Sequence, residues 1–412
     1  MTFLRRVPIL PSVISLVVIL SSAFAVQPVF DAATLGDVVD AFMERPLGYV
    51  VLAPLSNMMD TLTLLSANQH IAVLTGAIGL FVAWRAVHWK AGLKRHLVAT
   101  ASCFGAIVAA YAAAAFLPRP MAMLATNNDG VLRIDFHSHT DASHDGHGSV
   151  EWLREWHRRA GYDVAYVTDH AAVSAAERGQ ANNPNPAGGG VTLLQGIETT
   201  WSGEHVTIPN AQRVYKGLLT ANLADVDTQG LRLAGFIPGR EPIVIWNHPR
   251  QLGALPPASG PGTIGIRAME IVNGAPKDAG RLRTNRQQIV TMAQRGDVAL
   301  TSGSDNHGYG RATPGWTIMR IVGWRGASPD ALAFEIEKVI REGGFRSTRV
   351  VERRVADPGT SAALTAASIA TIPWVMFTTL SNDERGWWLV WTWGLFALSQ
   401  VARRRSRARG TA

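Results

Sequence analysis

Cysteine and charged residues are scarce in this sequence of 412 residues. Its single cysteine, Cys103, excludes an internal disulfide and a metal site built on thiolates. Only 17% of the residues are charged whereas 47% are hydrophobic, and this balance excludes a disordered chain. The sequence contains no internal repeat. The chain is therefore expected to bury apolar cores, and any metal site in it must use nitrogen and oxygen ligands.

The apolar residues collect at the two ends of the chain, in runs over 7–26, 47–65, 71–84, 97–117, 362–380 and 387–401. A span needs about 20 apolar residues. We therefore expect an N-terminal membrane region over 1–120, a C-terminal transmembrane hairpin with a basic tail over 357–412, and the lipid bilayer as a partner. The first run fits a signal peptide and an uncleaved anchor equally well. The run 47–65 contains Asn57 and Asp60, so it is either a span or an amphipathic surface segment.

The basic residues bear on sidedness and on partners. The arginines of the tail, at 403–409, favour a cytoplasmic anchor over a nucleic-acid patch, and no nucleic-acid partner is predicted. Together with the arginines at 341–354, they favour a cytoplasmic middle region. Arg5 and Arg6, followed by three spans and the basic turn at 90–95, favour a periplasmic one. The larger number of arginines supports the cytoplasmic side, and the periplasmic side stays open.

The middle region, 121–356, has the alternating pattern of an α/β domain. Its predicted strands are 131–136, 163–168, 191–197, 206–208, 242–246, 268–272, 298–301 and 316–321. Its predicted helices are 150–160, 278–294 and 329–343. Strands separated by helices indicate a parallel sheet or a closed barrel, and about 235 residues suit one (β/α) barrel.

Histidines and carboxylates follow these predicted strands. Nine of the twelve histidines lie between 137 and 307. The residues at strand ends are His137, His139, His170, Glu198, His248, Asp305 and His307. In a barrel, the carboxyl ends of parallel strands meet at one rim, so these side chains are expected to converge. Each motif alone also fits a helix cap or a turn, but their order within one domain favours a shared site.

The residue types suit a polynuclear metal centre. In His137-x-His139 on an extended segment, both imidazoles point to the same side and can bind one ion. A carboxylate such as Glu198 can bridge two ions. A mixed nitrogen and oxygen ligand set suits zinc, manganese or iron. Two or three divalent ions would lower the pKa of water and hold phosphoryl oxygens, which serves hydrolysis of phosphate esters.

The motifs at 135–140, 167–170, 196–198, 247–249 and 303–307 resemble those of the PHP (polymerase and histidinol phosphatase) superfamily, over about 130–350. The resemblance implies a distorted (β/α)7 TIM-like barrel with two or three metal ions. It implies three ligand sets, which are His137, His139, Glu198 and Asp305, then Glu198 with His205 and His248, and finally Asp145, His170 and His307. The first set is expected to be catalytic.

Several residues near these motifs have more than one interpretation. His144 or His147 could replace Asp145 as a ligand. Glu204 and Asp169 either orient imidazoles or face solvent. Phosphate also needs cationic or N–H donors, and Arg250 and Arg311 are the predicted substrate-binding residues, although a surface role fits each equally well.

The sequence thus predicts a membrane-anchored, metal-dependent phosphoesterase. Its expected substrates are small-molecule or membrane-proximal phosphate monoesters. The alternatives are a phosphodiesterase or another metallohydrolase on the same centre, and a non-catalytic membrane-bound sensor module. The N-terminal and C-terminal apolar regions join the barrel near its first and last elements. The metal rim, at the carboxyl ends of the strands, is therefore expected to face away from the lipid.

Overall fold

The computed structural model describes residues 8–87, 92–128, 130–170, 172–183, 190–211, 240, 242–258, 265–357 and 361–410. Arg5, Arg6 and Lys90, which enter the prediction of sidedness, lie outside these residues. The described strands are β1 (Val29–Asp31), β2 (Ala41–Glu44), β3 (Met123–Thr126), β4 (Val131–Asp135), β5 (Val164–Val167), β6 (Thr192–Trp201), β7 (Glu204–Pro209), β8 (Val244–Trp246), β9 (Ile266–Asn273), β10 (Ala299–Gly303), β11 (Gly315–Arg320) and β12 (Arg349–Arg353).

The described α-helices are α1 (Ile9–Ser22), α2 (Leu47–Val51), α3 (Ala53–Thr63), α4 (Ala67–Val87), α5 (Leu93–Phe116), α6 (Val150–Ala160), α7 (Ser174–Ala181), α8 (Pro276–Gly296), α9 (Pro329–Gly343), α10 (Ala362–Thr378) and α11 (Asn382–Gly410). Every strand and helix predicted for the middle region is present. Among the described residues of this region, the strands and α-helices that were not predicted are β3, α7 and β12, which are short.

Ten strands form one strongly curled sheet in the order β1-β12-β11-β4-β5-β6-β7-β8-β9-β10. Beyond the ends of β4 and β10, Ser138 and Asn306 form a parallel bridge. The His139 amide donates to the Asn306 carbonyl at 2.9 Å, and the Asp305 amide donates to the His137 carbonyl at 2.8 Å. The seven strands from β4 to β10 therefore form a distorted barrel, which confirms the predicted fold class.

The strand β7 departs from a regular parallel barrel because it runs antiparallel to both of its neighbours, β6 and β8. The cause is local. Ser202 and Gly203 form a two-residue hairpin turn in which both residues have positive φ, 49° and 79°, as a type I′ turn requires. A turn this short reverses the chain at once, so β7 must pair with β6 in the opposite direction.

Both faces of the strand β8 are buried in apolar cores. On β8, Val244 and Trp246 belong to the apolar core that includes residues of α8, whereas Ile245 belongs to the core that includes residues of α9. Successive side chains of a strand point to opposite faces, so a strand buried on both faces reads as a continuous apolar run. This accounts for the unbroken apolar character of the predicted strand at 242–246.

Residues before position 120 also contribute to the sheets. The strand β1 pairs with β12 at the edge of the curled sheet, and β2 pairs with β3 in a two-stranded sheet. The division of the chain into 1–120, 121–356 and 357–412 stays a prediction.

The long apolar helices are α4 and α5, each long and apolar enough to cross a membrane by length and composition. The helices α10 and α11 are bent by 116° at the break between them and would count together as a third span, whereas α1 is a shorter apolar helix of 14 residues.

The run 47–65 breaks at Leu52 into α2 and α3 and is not one span. Its Asp60 is buried against Arg119 and Arg353. Insertion in a bilayer, and the side on which the barrel lies, stay predictions.

Candidate metal centre

The structure brings all of the sequence-predicted ligands to one rim of the barrel. His137 and His139 follow β4, Asp145 lies in the loop before α6, His170 follows β5, Glu198 lies within β6, His205 lies on β7, His248 follows β8, and Asp305 and His307 follow β10. Four overlapping groups of these side chains, together with Asp278, have donor atoms close enough to hold a metal ion. The rim is therefore a candidate polynuclear metal centre.

Glu198 lies at the middle of the cluster. Its Oε2 atom is 3.1 Å from His137 Nε2, 3.2 Å from His139 Nε2 and 3.4 Å from His170 Nε2. Asp305 Oδ1 completes this inner group at 3.5 Å from His137 Nε2 and 3.4 Å from His139 Nε2. The arrangement is the first ligand set that the family resemblance implies.

The other oxygen of Glu198 faces a second group. Glu198 Oε1 is 3.0 Å from His205 Nδ1 and 3.8 Å from His248 Nε2, and it accepts a hydrogen bond of 3.0 Å from Asn247 Nδ2. The sequence pattern placed Glu198 just after its strand, but β6 continues to Trp201. The extension matters because it carries the hairpin that presents His205 beside Glu198.

A third group is more open to solvent. Asp145 Oδ2 lies 3.5 Å from His170 Nε2 and 3.3 Å from His307 Nε2. Ser143 Oγ donates to Asp145 Oδ1 at 2.7 Å and fixes the carboxylate. The neighbouring His144 has a side chain that is 77% exposed and lies 3.9 Å from Asp145, so Asp145 rather than His144 faces the cluster.

Asp278 is a candidate ligand that the sequence analysis missed. It lies in the first turn of α8, and it forms a group of potential ligands with His248 and Asp305. Asp278 Oδ1 is 3.8 Å from His248 Nδ1, and Arg281 binds the same carboxylate. The only sequence signal was an acidic residue at a helix start, which more often interacts with the helix dipole.

A buried carboxylate outside the cluster positions two of its loops. Asp135 Oδ1 accepts from the amides of His137 at 3.1 Å and Ser304 at 2.9 Å. Its Oδ2 atom pairs with His157 Nε2 at 2.7 Å. Asp135 ends β4, and His157 lies on α6, so one side chain ties together β4, α6 and the loop after β10. Sequence reasoning could not find this role, because His157 reads as one polar residue on an amphipathic helix.

The Glu270 carboxylate contacts two of the candidate ligands, His137 and His248. Its Oε1 atom is 3.2 Å from His137 Nδ1, and its Oε2 atom accepts from the His248 amide at 2.8 Å. Such a carboxylate fixes the ring orientation of a ligating histidine. A Cβ atom added at Gly303 would lie 1.9 Å from Glu270 Oε1. Glycine is therefore required at this position because of the close approach, not because of its φ.

The backbone is strained at two of the candidate ligands. His248 and Asp305 have φ values of 30° and 47°. Residues with a Cβ atom rarely adopt such angles, and the cost is of order 1–3 kcal/mol each. Each residue lies two positions after the end of a strand. The His248 amide donates to Glu270 Oε2, and the Asp305 amide donates to the His137 carbonyl, so both amides are held in place.

The charges of the cluster favour a cation at its centre. Burial opposes protonation of His137 and His139, but the Glu198 and Asp305 carboxylates outweigh burial. They raise the pKa of His137 well above its usual range and the pKa of His139 to about 9. The same interactions hold the pKa values of Glu198 and Asp305 below their usual range, although burial opposes this.

The donor set fits metal ions. The Nε2 atoms of His137 and His139 face each other at 3.1 Å, and such an approach requires a proton or a metal ion between or beside the two nitrogens. The buried Nδ1 atoms of His139 and His248 have no hydrogen-bond partner. A neutral imidazole with one nitrogen in the cluster is the form that ligates metals.

The remaining predicted residues lie elsewhere. Glu204 is buried and accepts from Trp246 Nε1 and the Arg250 amide, both at 2.9 Å. Asp169 is buried and binds the amide and hydroxyl of Thr140 at 2.6 and 2.7 Å. Neither of these described contacts is to an imidazole. The Arg250 side chain is exposed, and Arg311 lies over the Trp152 ring at 5.3 Å. Their roles in substrate binding stay predictions.

Comparisons with known proteins give matches in structure alone. No protein-family model and no curated protein matches the chain. PsfC from Pseudomonas syringae PB-5123 is 15% identical, with 58% of this chain and 96% of PsfC covered and a TM-score of 0.33. A two-domain protein from Bacteroides vulgatus, described as containing a "predicted PHP-like metal-dependent phosphoesterase", is 16% identical over 55% of this chain and 67% of its own, with a TM-score of 0.33. An amidohydrolase from Chromobacterium violaceum is 16% identical over 42% of this chain and 87% of its own, with a TM-score of 0.26.

The chain is thus similar in structure to one protein described as containing a PHP-like phosphoesterase and to one described as an amidohydrolase. At these identities and TM-scores, the similarity by itself assigns no activity.

Proposed function

We propose that the chain is a membrane-associated metallohydrolase that hydrolyses phosphate monoesters at the barrel rim. The observation that carries the proposal is the convergence of nitrogen and carboxylate donors on Glu198, at distances of 3.0–3.8 Å. These donors come from different strands and are far apart in sequence. Because burial of each charge costs desolvation free energy, the gathering of so many ionisable groups at one place favours a functional site.

Three groups of side chains would each bind one metal ion, and Glu198 connects two of these groups. Glu198 is placed between the group of His137, His139 and Asp305 and the group of His205 and His248. It can therefore bridge two ions. When bound, divalent ions supply a Lewis acid for the phosphoryl oxygens and lower the pKa of water.

The shape of the cluster gives a direction of approach for the substrate. His137, His139 and Glu198 are buried and form its floor. His170 and His205 are half-buried, with side chains 22% and 29% exposed, and they form part of its open side. A phosphate group bound over this floor would lie beside these imidazoles, which can donate hydrogen bonds to it.

Membrane association is supported by α4 and α5, which have the length and apolar composition of spans. The proposed specificity for monoesters rests on the resemblance of the motifs.

The test uses the full chain, purified in detergent and supplied with manganese, zinc or iron(II). Release of inorganic phosphate from 4-nitrophenyl phosphate should require metal and should fall at least 100-fold in His137→Ala and Asp305→Ala. The control is His144→Ala, since this histidine is mostly exposed in the same region of the rim. Full activity of either ligand variant would refute the assignment.

A panel of substrates separates the related activities. Bis(4-nitrophenyl) phosphate tests for a phosphodiesterase, and an N-acyl amino acid tests for an amidohydrolase. The sensor alternative predicts no turnover of any of these by the metal-loaded chain.

A further inference from the structure

A cavity of about 150 Å³ lies between the metal rim and the ends of the long apolar helices. On the rim side it is lined by Asp305, Asn306 and Tyr309. On the helix side it is lined by Leu62, Ala114 and Ala115. The expectation that the metal rim faces away from the candidate spans is therefore wrong. The loop that follows β10 folds back onto the end of α5, where the Gly310 amide donates to the Ala115 carbonyl at 2.8 Å.

The two walls of the cavity differ in chemistry. The rim wall carries a carboxylate of the metal centre and the half-exposed phenol ring of Tyr309. On the helix wall, the methyl groups of leucine and alanine lie beside the rings of His70 and Tyr111. A ligand that satisfies both walls must have an anionic or metal-binding end and an apolar end.

The helix wall lies at the level where the candidate spans end. His70 is in the first turn of α4, Tyr111 is near the end of α5, and His70 Nδ1 and the Tyr111 hydroxyl are 3.0 Å apart. Tyrosines and other amphipathic rings favour the boundary between lipid and water. Arg119, just after α5, donates to the Ala114 carbonyl at 3.1 Å and is buried against Asp60. The cavity thus sits beside the expected boundary of the bilayer.

We infer that the substrate is a lipid phosphate, namely a phosphate monoester of a long-chain alcohol that is anchored in the bilayer. The inference rests on the proposed function and names the substrate class of the same site. The phosphate lies at the metal centre beside Asp305, and the first carbons of the chain occupy the cavity against Ala115. The rest of the chain remains in the lipid beside α4 and α5.

The volume of the cavity agrees with the placement of only the first carbons of the lipid chain inside it. A volume of about 150 Å³ corresponds to roughly five water molecules at ~30 Å³ each. It accommodates a few methylene groups but not a whole acyl chain. In the reaction, the oxygen of water bonds to phosphorus and the ester P–O bond breaks. The alcohol leaves with a proton from that water, and inorganic phosphate is the second product.

The test compares two monoesters that differ only in their tails, ethyl phosphate and dodecyl phosphate. The full chain is reconstituted with manganese in nanodiscs of uncharged lipid, and phosphate release is measured. We expect kcat/KM to be at least tenfold higher for dodecyl phosphate. In Ala115→Leu, whose larger side chain fills the cavity, the ratio of dodecyl to ethyl phosphate turnover should fall at least tenfold. Ala112→Leu is the matched control, because Ala112 is exposed on the same helix.

A second readout does not depend on turnover. Dodecyl phosphate with a diazirine on the fourth carbon should label peptides that contain Leu62 or Ala115, and unlabelled dodecyl phosphate should compete. The labelling should be lost in Ala115→Leu and kept in Ala112→Leu.

The outcomes separate this inference from the proposed function. Equal turnover of ethyl and dodecyl phosphate, or an unchanged ratio in Ala115→Leu together with labelling elsewhere, would overturn the lipid substrate and leave the phosphoesterase intact. Hydrolysis of no monoester would overturn the proposed function and, with it, the inference.

Discussion

The backbone amide of Asp305 donates a hydrogen bond of 2.8 Å to the carbonyl of His137. This bond joins the ends of β10 and β4, the strands at which the barrel closes. It also sets two candidate metal ligands side by side, so a contact that closes the barrel also positions the metal centre. The fold and the site are therefore coupled at this point.

Asp135→Asn should weaken both the metal centre and the fold. The substitution removes the buried charge that pairs with His157 and places an amide beside the donating amide of Ser304. Loss of one partner of a buried pair costs about 3–5 kcal/mol. Thermal unfolding and retained manganese should both be measured. Asp141→Asn, on the exposed loop nearby, is the control and should change neither.

Glu198→Gln should reduce metal affinity at more than one position. The amide keeps the size of the side chain but removes the negative charge that faces five imidazoles. We expect phosphatase activity to fall at least 100-fold and chelator to strip the ions at lower concentration. Glu177→Gln, on the exposed side of α7, is the matched control. Wild-type chelator resistance in Glu198→Gln would contradict a bridging role.

Gly303→Ala should impair the site through sterics alone. Its Cβ atom would lie 1.9 Å from Glu270 Oε1 and 2.7 Å from His137 Cβ, so Glu270 and the His137 loop must shift. We expect loss of metal binding and a lower melting temperature. Gly326→Ala should be tolerated, because no atom lies within 4 Å of the added Cβ atom. An active, fully metallated Gly303→Ala protein would show that the rim is looser than described.

Stability of the metal-free protein should decrease from pH 6 to pH 9. In the folded protein the pKa of His139 is raised to about 9, and its unfolded value is ~6.5. Its contribution is therefore complete below pH 6.5 and is lost as the pH rises to 9, a difference of roughly 3 kcal/mol. The carboxylates with lowered pKa values, Glu198 and Asp305, contribute fully across this range. Thermal unfolding in EDTA measures the effect, and His139→Gln should reduce it. Stability that is constant or rises with pH would contradict the coupling.

The junction between the apolar helices and the barrel should depend on Asp60. Its carboxylate binds Arg119 and Arg353, both at 2.8 Å, and Tyr49 at 2.9 Å. Asp60→Ala leaves two guanidinium groups without their buried partner and should cost about 3–5 kcal/mol.

The exposed pair of Asp40 and Arg349 is the control for this prediction, since Asp40→Ala should cost at most about 1 kcal/mol. Proteolysis of the purified chain at a fixed temperature reports both variants. Equal resistance of Asp60→Ala and Asp40→Ala would show that the buried network does not hold the helices to the barrel.

The sequence predicted the barrel and its ligands because both are encoded locally. Each ligand motif directly follows an apolar run, and the carboxyl ends of such strands meet at one rim, as the structure shows for His137, His170 and His248. His-x-His on an extended segment also fixes the direction of two rings. The family resemblance added the assignments of Asp145 and His205, which local pattern alone does not justify.

The features that the sequence did not predict depend on contacts between distant segments. Asp278 is an ordinary first-turn carboxylate until the fold brings His248 beside it. The edge strand β1 pairs with β12, more than three hundred residues away, through only three residue pairs. The orientation of the rim toward α5 follows from the bond between Gly310 and Ala115, and no local pattern encodes such a long-range contact.

The metal content of the purified full chain tests the central claim most directly. After loading with manganese or zinc and removal of unbound ions, elemental analysis should find two or three ions per chain. The His137→Ala and Glu198→Gln variants should hold fewer ions, and His144→Ala should hold the full number. A wild-type protein that retains fewer than two ions per chain would contradict a polynuclear centre at this rim.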